Sequence, residues 1–174
     1  SLAIQTLYCI RCLDFLLSLP DADSSRVGVT GASGGGTQTI LVSALDDRVD
    51  ASAPVVMVSS AFDGGCECES GLPIHDCGKY GNNNVEIAAM MAPRPQLLIS
   101  EDADWTRSFP ETDFPYLQKI YAFYGQKDKV ENVHLQDKHH DYGFTKREPV
   151  YHFFAKLFGL NFNAIIGNDN KIDE

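Results

Sequence analysis

Apolar residues recur along this chain with two different periods, and the period changes where one structural element gives way to the next. Recurrence at three- and four-residue steps predicts helices at residues 2–19, 37–45, 85–91, 114–124 and 147–158. Short, nearly continuous apolar runs predict buried strands at residues 26–30, 51–59, 96–100 and 130–135. Strands that alternate with helices are typical of a parallel sheet with helices on both faces.

Some stretches follow neither period. Residues 60–84 are rich in Gly, Cys and Asn, and a loop of this length inside a compact domain is usually functional. Residues 101–113 are expected to form an acidic loop, and residues 161–174 a polar C-terminal tail. We therefore expect a single domain over residues 1–160, with a loop insertion at residues 60–84.

Composition narrows the range of partners. The 174 residues include 14 Lys and Arg against 24 Asp and Glu, which gives a net charge of −10. An acidic chain without a basic stripe repels phosphate backbones, so we expect no nucleic-acid partner. No apolar run reaches the length of about 18 residues that a membrane-spanning helix needs, so we expect no membrane span either.

The cysteines do not indicate a metal centre. Cys9 and Cys12 form a C-x-x-C pair on an apolar helix, where buried thiols are a better interpretation than redox chemistry. Cys66, Cys68 and Cys77 match no common zinc spacing, and a loop disulfide among them is plausible in an exported protein. We expect neither a metal nor a cofactor.

The chemistry-bearing motif is a G-x-S-x-G sequence between a predicted strand and a predicted helix. This context is that of a nucleophile elbow, a sharp turn that raises one serine above a sheet. Ser33 is the predicted nucleophile, and the N–H of Gly34 is the predicted oxyanion donor. Gly31 and Gly35 are expected to be glycine because a side chain would block the crowded turn.

Two further residue types follow later strands, in an order that suits the serine. Asp102 and Asp104 come after the strand at residues 96–100, and His140 comes after the strand at residues 130–135. The order Ser, Asp, His is that of α/β-hydrolases. His140 is the predicted general base, and Asp104 is preferred to Asp102 as the acid that orients it.

Motifs distributed between residues 3 and 160 carry a family resemblance. They lie at residues 26–39, 64–71, 92–95, 104–106 and 140–144. Together they resemble bacterial acetyl xylan esterases and related carbohydrate esterases of the α/β-hydrolase fold. The resemblance implies the C-terminal portion of that fold, serine-dependent hydrolysis of carbohydrate esters, and a secreted or periplasmic protein. It also matches Ser33, Asp104 and His140 to the triad positions.

The resemblance also indicates what differs here. The strands that precede the elbow in such enzymes, with their second oxyanion donor, are absent from these residues, so an upstream part of the fold is expected to be required. Relatives that act on glucuronoyl esters imply Asp63 or Glu69 as an alternative acid. The insertion would then border the substrate cleft, with Trp105, a candidate for stacking on a sugar ring, and Glu69 as substrate-binding residues.

The predicted function is removal of acetyl groups from xylan-type carbohydrate through an acyl-enzyme on Ser33. Hydrolysis of a uronate ester is an alternative within the same class. A non-catalytic carbohydrate-binding relative of the fold is an alternative from a different class. Carbohydrate ester is the only partner that these interpretations require.

Overall fold

The structure is built around a four-stranded parallel sheet. The computed structural model describes residues 2–61, 81–136, 139–167 and 172. Its strands are β1 (Gly28–Ala32), β2 (Ala51–Val55), β3 (Gln96–Glu101) and β4 (Val130–Leu135), and they pair in chain order. Because all pairs are parallel, the carboxyl ends of the strands meet at one edge of the sheet, as the alternating pattern predicted.

Helices connect the strands and follow the last one. In chain order they are α1 (Leu2–Leu17), α2 (Gly34–Leu45), α3 (Asn84–Ala89), α4 (Phe109–Thr112), α5 (Phe114–Phe123) and α6 (Phe144–Phe158). Short 3₁₀ turns occupy Lys127–Lys129 and Phe162–Ile165. None of the helices in the described part of the chain is long and apolar enough to cross a membrane.

The two faces of the sheet are buried by different helices. Successive side chains of a strand point to opposite faces, and β3 follows this rule. Leu98 is buried with Ile40 of α2 and Leu117 of α5, whereas Leu97 is buried with Val150 of α6. Helices therefore cover both faces, which confirms the layered α/β architecture expected from the sequence.

Several element boundaries differ from the sequence-based expectations. The apolar run at residues 51–59 forms a strand only as far as Val55, because Val56 has φ 44° and turns the chain out of the extended conformation. Helices α2 and α6 each begin three residues earlier than their apolar period indicated. The expected loop at residues 101–113 contains the short helix α4, and the expected tail begins with a 3₁₀ turn in which Phe162 stacks on His152.

The C-x-x-C pair lies on α1 as expected, but only partly in the interior. Both thiols are free, Cys9 is half-buried and Cys12 is exposed, so the expectation of two buried thiols is wrong for Cys12. Burial raises the pKa of Cys9, and the neighbouring Cys12 adds to the effect. A raised pKa disfavours the reactive thiolate, which agrees with a packing role for Cys9.

Candidate active site

Ser33 occupies a strained turn between β1 and α2. Its backbone has φ 54° and ψ −119°, and a positive φ is uncommon for a residue with a side chain. Neighbouring backbone fixes the turn: the Ser33 N–H donates to the Val55 carbonyl at 3.0 Å, and the Ser33 carbonyl accepts from the Thr37 N–H at 3.0 Å. Such a backbone conformation costs about 1–3 kcal/mol, and residues that adopt it cluster at functional sites, where the surrounding structure holds them in place.

The glycines around Ser33 are not equivalent. A Cβ atom on Gly31 would lie 2.6 Å from the backbone carbonyl of Gly35, and one on Gly36 would lie 2.6 Å from Cβ of Met57. A Cβ atom on Gly35 would meet nothing within 4 Å among the described residues. The expectation that crowding requires glycine is therefore right for Gly31, whose Cβ would meet the backbone at the start of α2, and wrong for Gly35, whose Cβ would point into open space among the described residues.

His140 lies in the loop between β4 and α6 and reaches the serine directly. Its Nε2 atom is 2.8 Å from Ser33 Oγ, and its Nδ1 atom is 2.7 Å from Asp104 Oδ2. The hydroxyl of Tyr142 ties the same loop to β1 through a hydrogen bond with Thr30 Oγ1. The structure thus brings together the serine, the histidine and the preferred aspartate of the sequence-based prediction, from three separate strand ends.

Asp104 is fixed by the turn that follows β3. Its side chain is 3% exposed, and one carboxylate oxygen accepts from both the N–H and the hydroxyl of Thr106, at 2.7 and 2.6 Å. The Thr106 hydroxyl oxygen in turn accepts from the N–H of Glu101 at 2.9 Å. One face of the carboxylate is therefore anchored to the backbone, which leaves the other oxygen directed at His140.

Asp102 points elsewhere. Its carboxylate lies 2.8 Å from Nε2 of His134, and its side chain is 54% exposed. The other ring nitrogen of His134 lies 2.9 Å from the hydroxyl of Ser100. Within the described part of the chain, Asp104 is thus the carboxylate bonded to His140. The alternatives Asp63 and Glu69, like Cys66, Cys68 and Cys77, lie outside the described residues.

Trp105 packs under the histidine instead of facing solvent. The residue is 8% exposed, its ring centroid lies 4.6 Å from that of His140, and its indole N–H donates to the Met57 carbonyl at 3.2 Å. An indole with so little free surface is not available to stack on a sugar ring in this structure. The geometry favours a supporting role for Trp105, in contrast to the substrate-binding role expected from the sequence.

A buried ion pair next to the site was missed by the sequence analysis. Glu101 and Lys146 both have fully buried side chains, and Lys146 Nζ lies 2.8 Å from Glu101 Oε2. Burial raises the pKa of Glu101, the hydrogen bond from Lys146 opposes this, and the adjoining Asp104 carboxylate adds to it. The signal in the sequence was a carboxylate continuing an apolar strand, since such a residue needs a partner when buried.

Glu101, Asp104 and His140 also have the residue types of a metal site, with potential ligand atoms within 4.8 Å of one another. Their hydrogen bonds account for the cluster in another way. Glu101 faces the ammonium group of Lys146, and Asp104 accepts from Thr106 while contacting His140. An ammonium group at the carboxylate repels a second cation, so this donor set fits a proton-handling network better than a cation site.

Gly34 opens helix α2 directly after the serine. The first amide groups of a helix have no acceptor within the helix and point along its axis toward the N-terminus. The Gly34 N–H therefore belongs to the set of donors that can bind a negative charge beside Ser33, with the helix dipole adding to the attraction.

Comparisons with known proteins find similarity to carbohydrate esterases. The model of the acetyl xylan esterase family matches residues 6–75. The acetyl esterase Axe7A of Xylanibacter ruminicola is 46% identical over 43 residues, which are 25% of this chain and 10% of that protein. The solved structure of methylesterase BT1017 matches with a TM-score of 0.86 and 50% identity over 98% of this chain and 38% of its own.

More distant solved structures share the fold. A glucuronoyl esterase from Caldicellulosiruptor kristjansonii matches with a TM-score of 0.68 and 20% identity, over 93% of this chain and 51% of its own. The chain thus spans about half the length of that esterase and 38% of the methylesterase. These relatives are carboxylic ester hydrolases, and the chain matches part of their α/β-hydrolase fold.

Proposed function

We propose that this chain, which has the α/β-hydrolase fold and resembles carbohydrate esterases in sequence and structure, carries the catalytic triad of a serine esterase. The single observation that supports this most is the continuous hydrogen-bonded path from Ser33 through His140 to Asp104, with distances of 2.8 and 2.7 Å. A serine hydroxyl is a weak nucleophile unless a neighbouring base takes its proton, and this path supplies that base.

The reaction follows from the roles of the three side chains. Ser33 Oγ attacks the ester carbonyl carbon while its proton moves to Nε2 of His140. The resulting imidazolium then gives that proton to the leaving alcohol as the carbon–oxygen bond of the ester breaks. Water attacks the acyl-enzyme by the same route, with His140 again taking and returning the proton, and the carboxylic acid product leaves Ser33 free.

Asp104 and Gly34 stabilise the charges that appear during these steps. The buried carboxylate holds the imidazole with its Nδ1–H directed at Asp104 and its Nε2 lone pair directed at Ser33, and it stabilises the imidazolium. The Gly34 N–H would donate to the developing oxyanion, and removing one such donor typically costs a factor of about 10²–10³ in rate.

Two kinds of ester are supported by different relatives. The family model and the acetyl esterase match support an acetyl group, as in deacetylation of xylan-type carbohydrate, but the family model matches only residues 6–75 and the acetyl esterase match covers only 43 residues. The methylesterase match extends over 98% of the chain and so includes Asp104 and His140. It supports a second candidate, a methyl ester of a sugar acid, in which methanol leaves and the sugar acid forms the acyl-enzyme.

The test compares the protein with its Ser33→Ala variant, using Ser24→Ala as the matched control because Ser24 is exposed and distant in sequence from the elbow. The substrates are an activated acetate ester, acetylated xylan and a methyl-esterified polyuronate. We expect Ser33→Ala to lose ester hydrolysis by a factor of about 10⁴ or more while Ser24→Ala keeps it. Full activity in Ser33→Ala would overturn the mechanism, and inactivity of the full-length protein on every ester would favour a non-catalytic relative.

A further inference from the structure

Lys146 lies in the first turn of α6 and has no exposed side-chain surface. Its ammonium group contacts Glu101 Oε2 at 2.8 Å, the His139 carbonyl at 2.7 Å and Asp141 Oδ1 at 3.0 Å. The contacts to the His139 carbonyl and to Asp141 are hydrogen bonds, and the contact to Glu101 is an ion pair. Two of the three acceptors belong to the residues on either side of His140.

The third contact connects this loop to the sheet. Glu101 is the last residue of β3, and the same residue donates its backbone N–H to Thr106, which holds Asp104. Lys146 therefore joins the loop that carries the base to the strand end that carries the acid. A group that sets the distance between two reacting side chains affects the rate strongly, because a misplacement of about 1 Å can cost a factor of 10².

We propose that Lys146 is a positioning residue for His140. Because its ammonium group contacts His139 and Asp141, on either side of His140, and also Glu101, it holds the imidazole between Ser33 and Asp104. This inference rests on the proposed serine-esterase function and adds a residue that neither the triad nor the oxyanion donor includes. Lys146 does not touch the substrate and acts only through the loop.

If the ion pair only stabilised the fold, a variant that lacks both charges would keep the stability and the reaction rate of the wild type. Replacing a buried ion pair by well-packed hydrophobic residues of similar volume commonly preserves stability, whereas removing one partner leaves a buried charge alone. The double variant Glu101→Met/Lys146→Met removes both charges and also the hydrogen bonds to His139 and Asp141. Stability and positioning can therefore be separated in this pair of variants.

The experiment measures the rate at which a fluorophosphonate modifies Ser33, which requires no knowledge of the natural ester. Thermal unfolding and the downfield ¹H NMR signal of the His140 Nδ1–H proton are followed in the same samples. The matched control is Lys156→Met on the same helix, since Lys156 is 80% exposed and its Nζ atom lies 3.5 Å from Glu131 Oε1. Ser33→Ala defines the background.

We expect Lys146→Met to unfold at lower temperature, to react about ten- to a hundredfold more slowly and to lose the sharp His140 signal. The double variant should regain the unfolding temperature but not the rate or the signal, and Lys156→Met should match wild type. A double variant that regains rate and stability together would overturn the inference, as would a wild-type rate in Lys146→Met. Modification of Ser33→Ala at the wild-type rate would instead overturn the proposed function.

Discussion

Replacing Asp104 by asparagine should abolish most of the activity while keeping the fold. The asparagine side chain would retain the shape of the carboxylate. Its oxygen could still accept from the N–H and the hydroxyl of Thr106, which lie 2.7 and 2.6 Å from Oδ1 of Asp104. The amide NH₂ group would then face Nδ1 of His140. Because an NH₂ group only donates, Nδ1 would have to act as acceptor, and the ring proton would move to Nε2.

This change of tautomer determines how much activity the Asp104→Asn variant loses. With a proton on Nε2, the ring can no longer accept the proton of Ser33, whose Oγ lies 2.8 Å away. The same exchange in a serine protease triad lowers kcat by about 10⁴, which corresponds to roughly 5 kcal/mol of transition-state stabilisation at 1.36 kcal/mol per decade. We expect a loss of that order for Asp104→Asn in ester hydrolysis.

The assay is steady-state hydrolysis of an activated ester, with circular dichroism to verify the fold. Asp102→Asn is the matched control, because Asp102 is two residues away, contacts His134 and should leave kcat within about twofold of wild type. Near-normal kcat in Asp104→Asn would refute the acid assignment and favour a carboxylate of the insertion, Asp63 or Glu69. Loss of activity in Asp102→Asn alone would refute it equally.

Two further predictions concern stability. Gly31→Ala places a Cβ atom 2.6 Å from the backbone of Gly35, so this variant should destabilise the fold by about 1–3 kcal/mol and abolish activity. Gly35→Ala is the control and should leave the unfolding temperature unchanged or higher. Equal unfolding temperatures of the two variants would contradict this reasoning. The pKa of Asp23 is lowered to about 2 by hydrogen bonds from Ser25 and Arg26. A lowered pKa stabilises the fold above the ordinary carboxyl range, and this effect declines below about pH 4 and is lost as the pH falls through about 2. Asp23→Asn should therefore unfold at lower temperature than wild type at pH 7, and the difference should shrink steadily as the pH falls toward about 2. A difference as large at about pH 2 as at pH 7 would exclude the carboxylate as its cause.

Where sequence reasoning succeeded, the signal was local. The apolar period located each of the strands of the sheet, and the bounds of β4 agree with the expected residues 130–135. The turn at Ser33 between β1 and α2 was recognisable because its glycines, serine and flanking strand are adjacent in the chain. Helices α2 and α6 were expected three residues too late, since α2 begins with three glycines and α6 begins with a single apolar residue, Phe144, followed by polar ones, so that neither first turn shows an apolar period.

Where it failed, the deciding contact joined distant parts of the chain. The chain turns at Val56, which has φ 44°, so β2 is shorter than expected. The indole N–H of Trp105 donates to the carbonyl of the next residue, Met57. No periodicity reports such an arrangement. The resemblance offered Trp105 as a candidate for stacking on a sugar ring, and in the structure the residue is 8% exposed and lies against His140.

By itself, the sequence determined the layered parallel sheet, the serine at its elbow and the chain order of the candidate acid and base, because these depend on neighbouring residues and on strand order. Only the tertiary structure decided which aspartate faces His140, which glycine is crowded and what Glu101 and Lys146 do. Asp102 and Asp104 differ by two positions in the chain but lie against different histidines. Their roles depend on loops that converge only after the strands have paired, and the direction of a side chain within a loop is set by those long-range contacts.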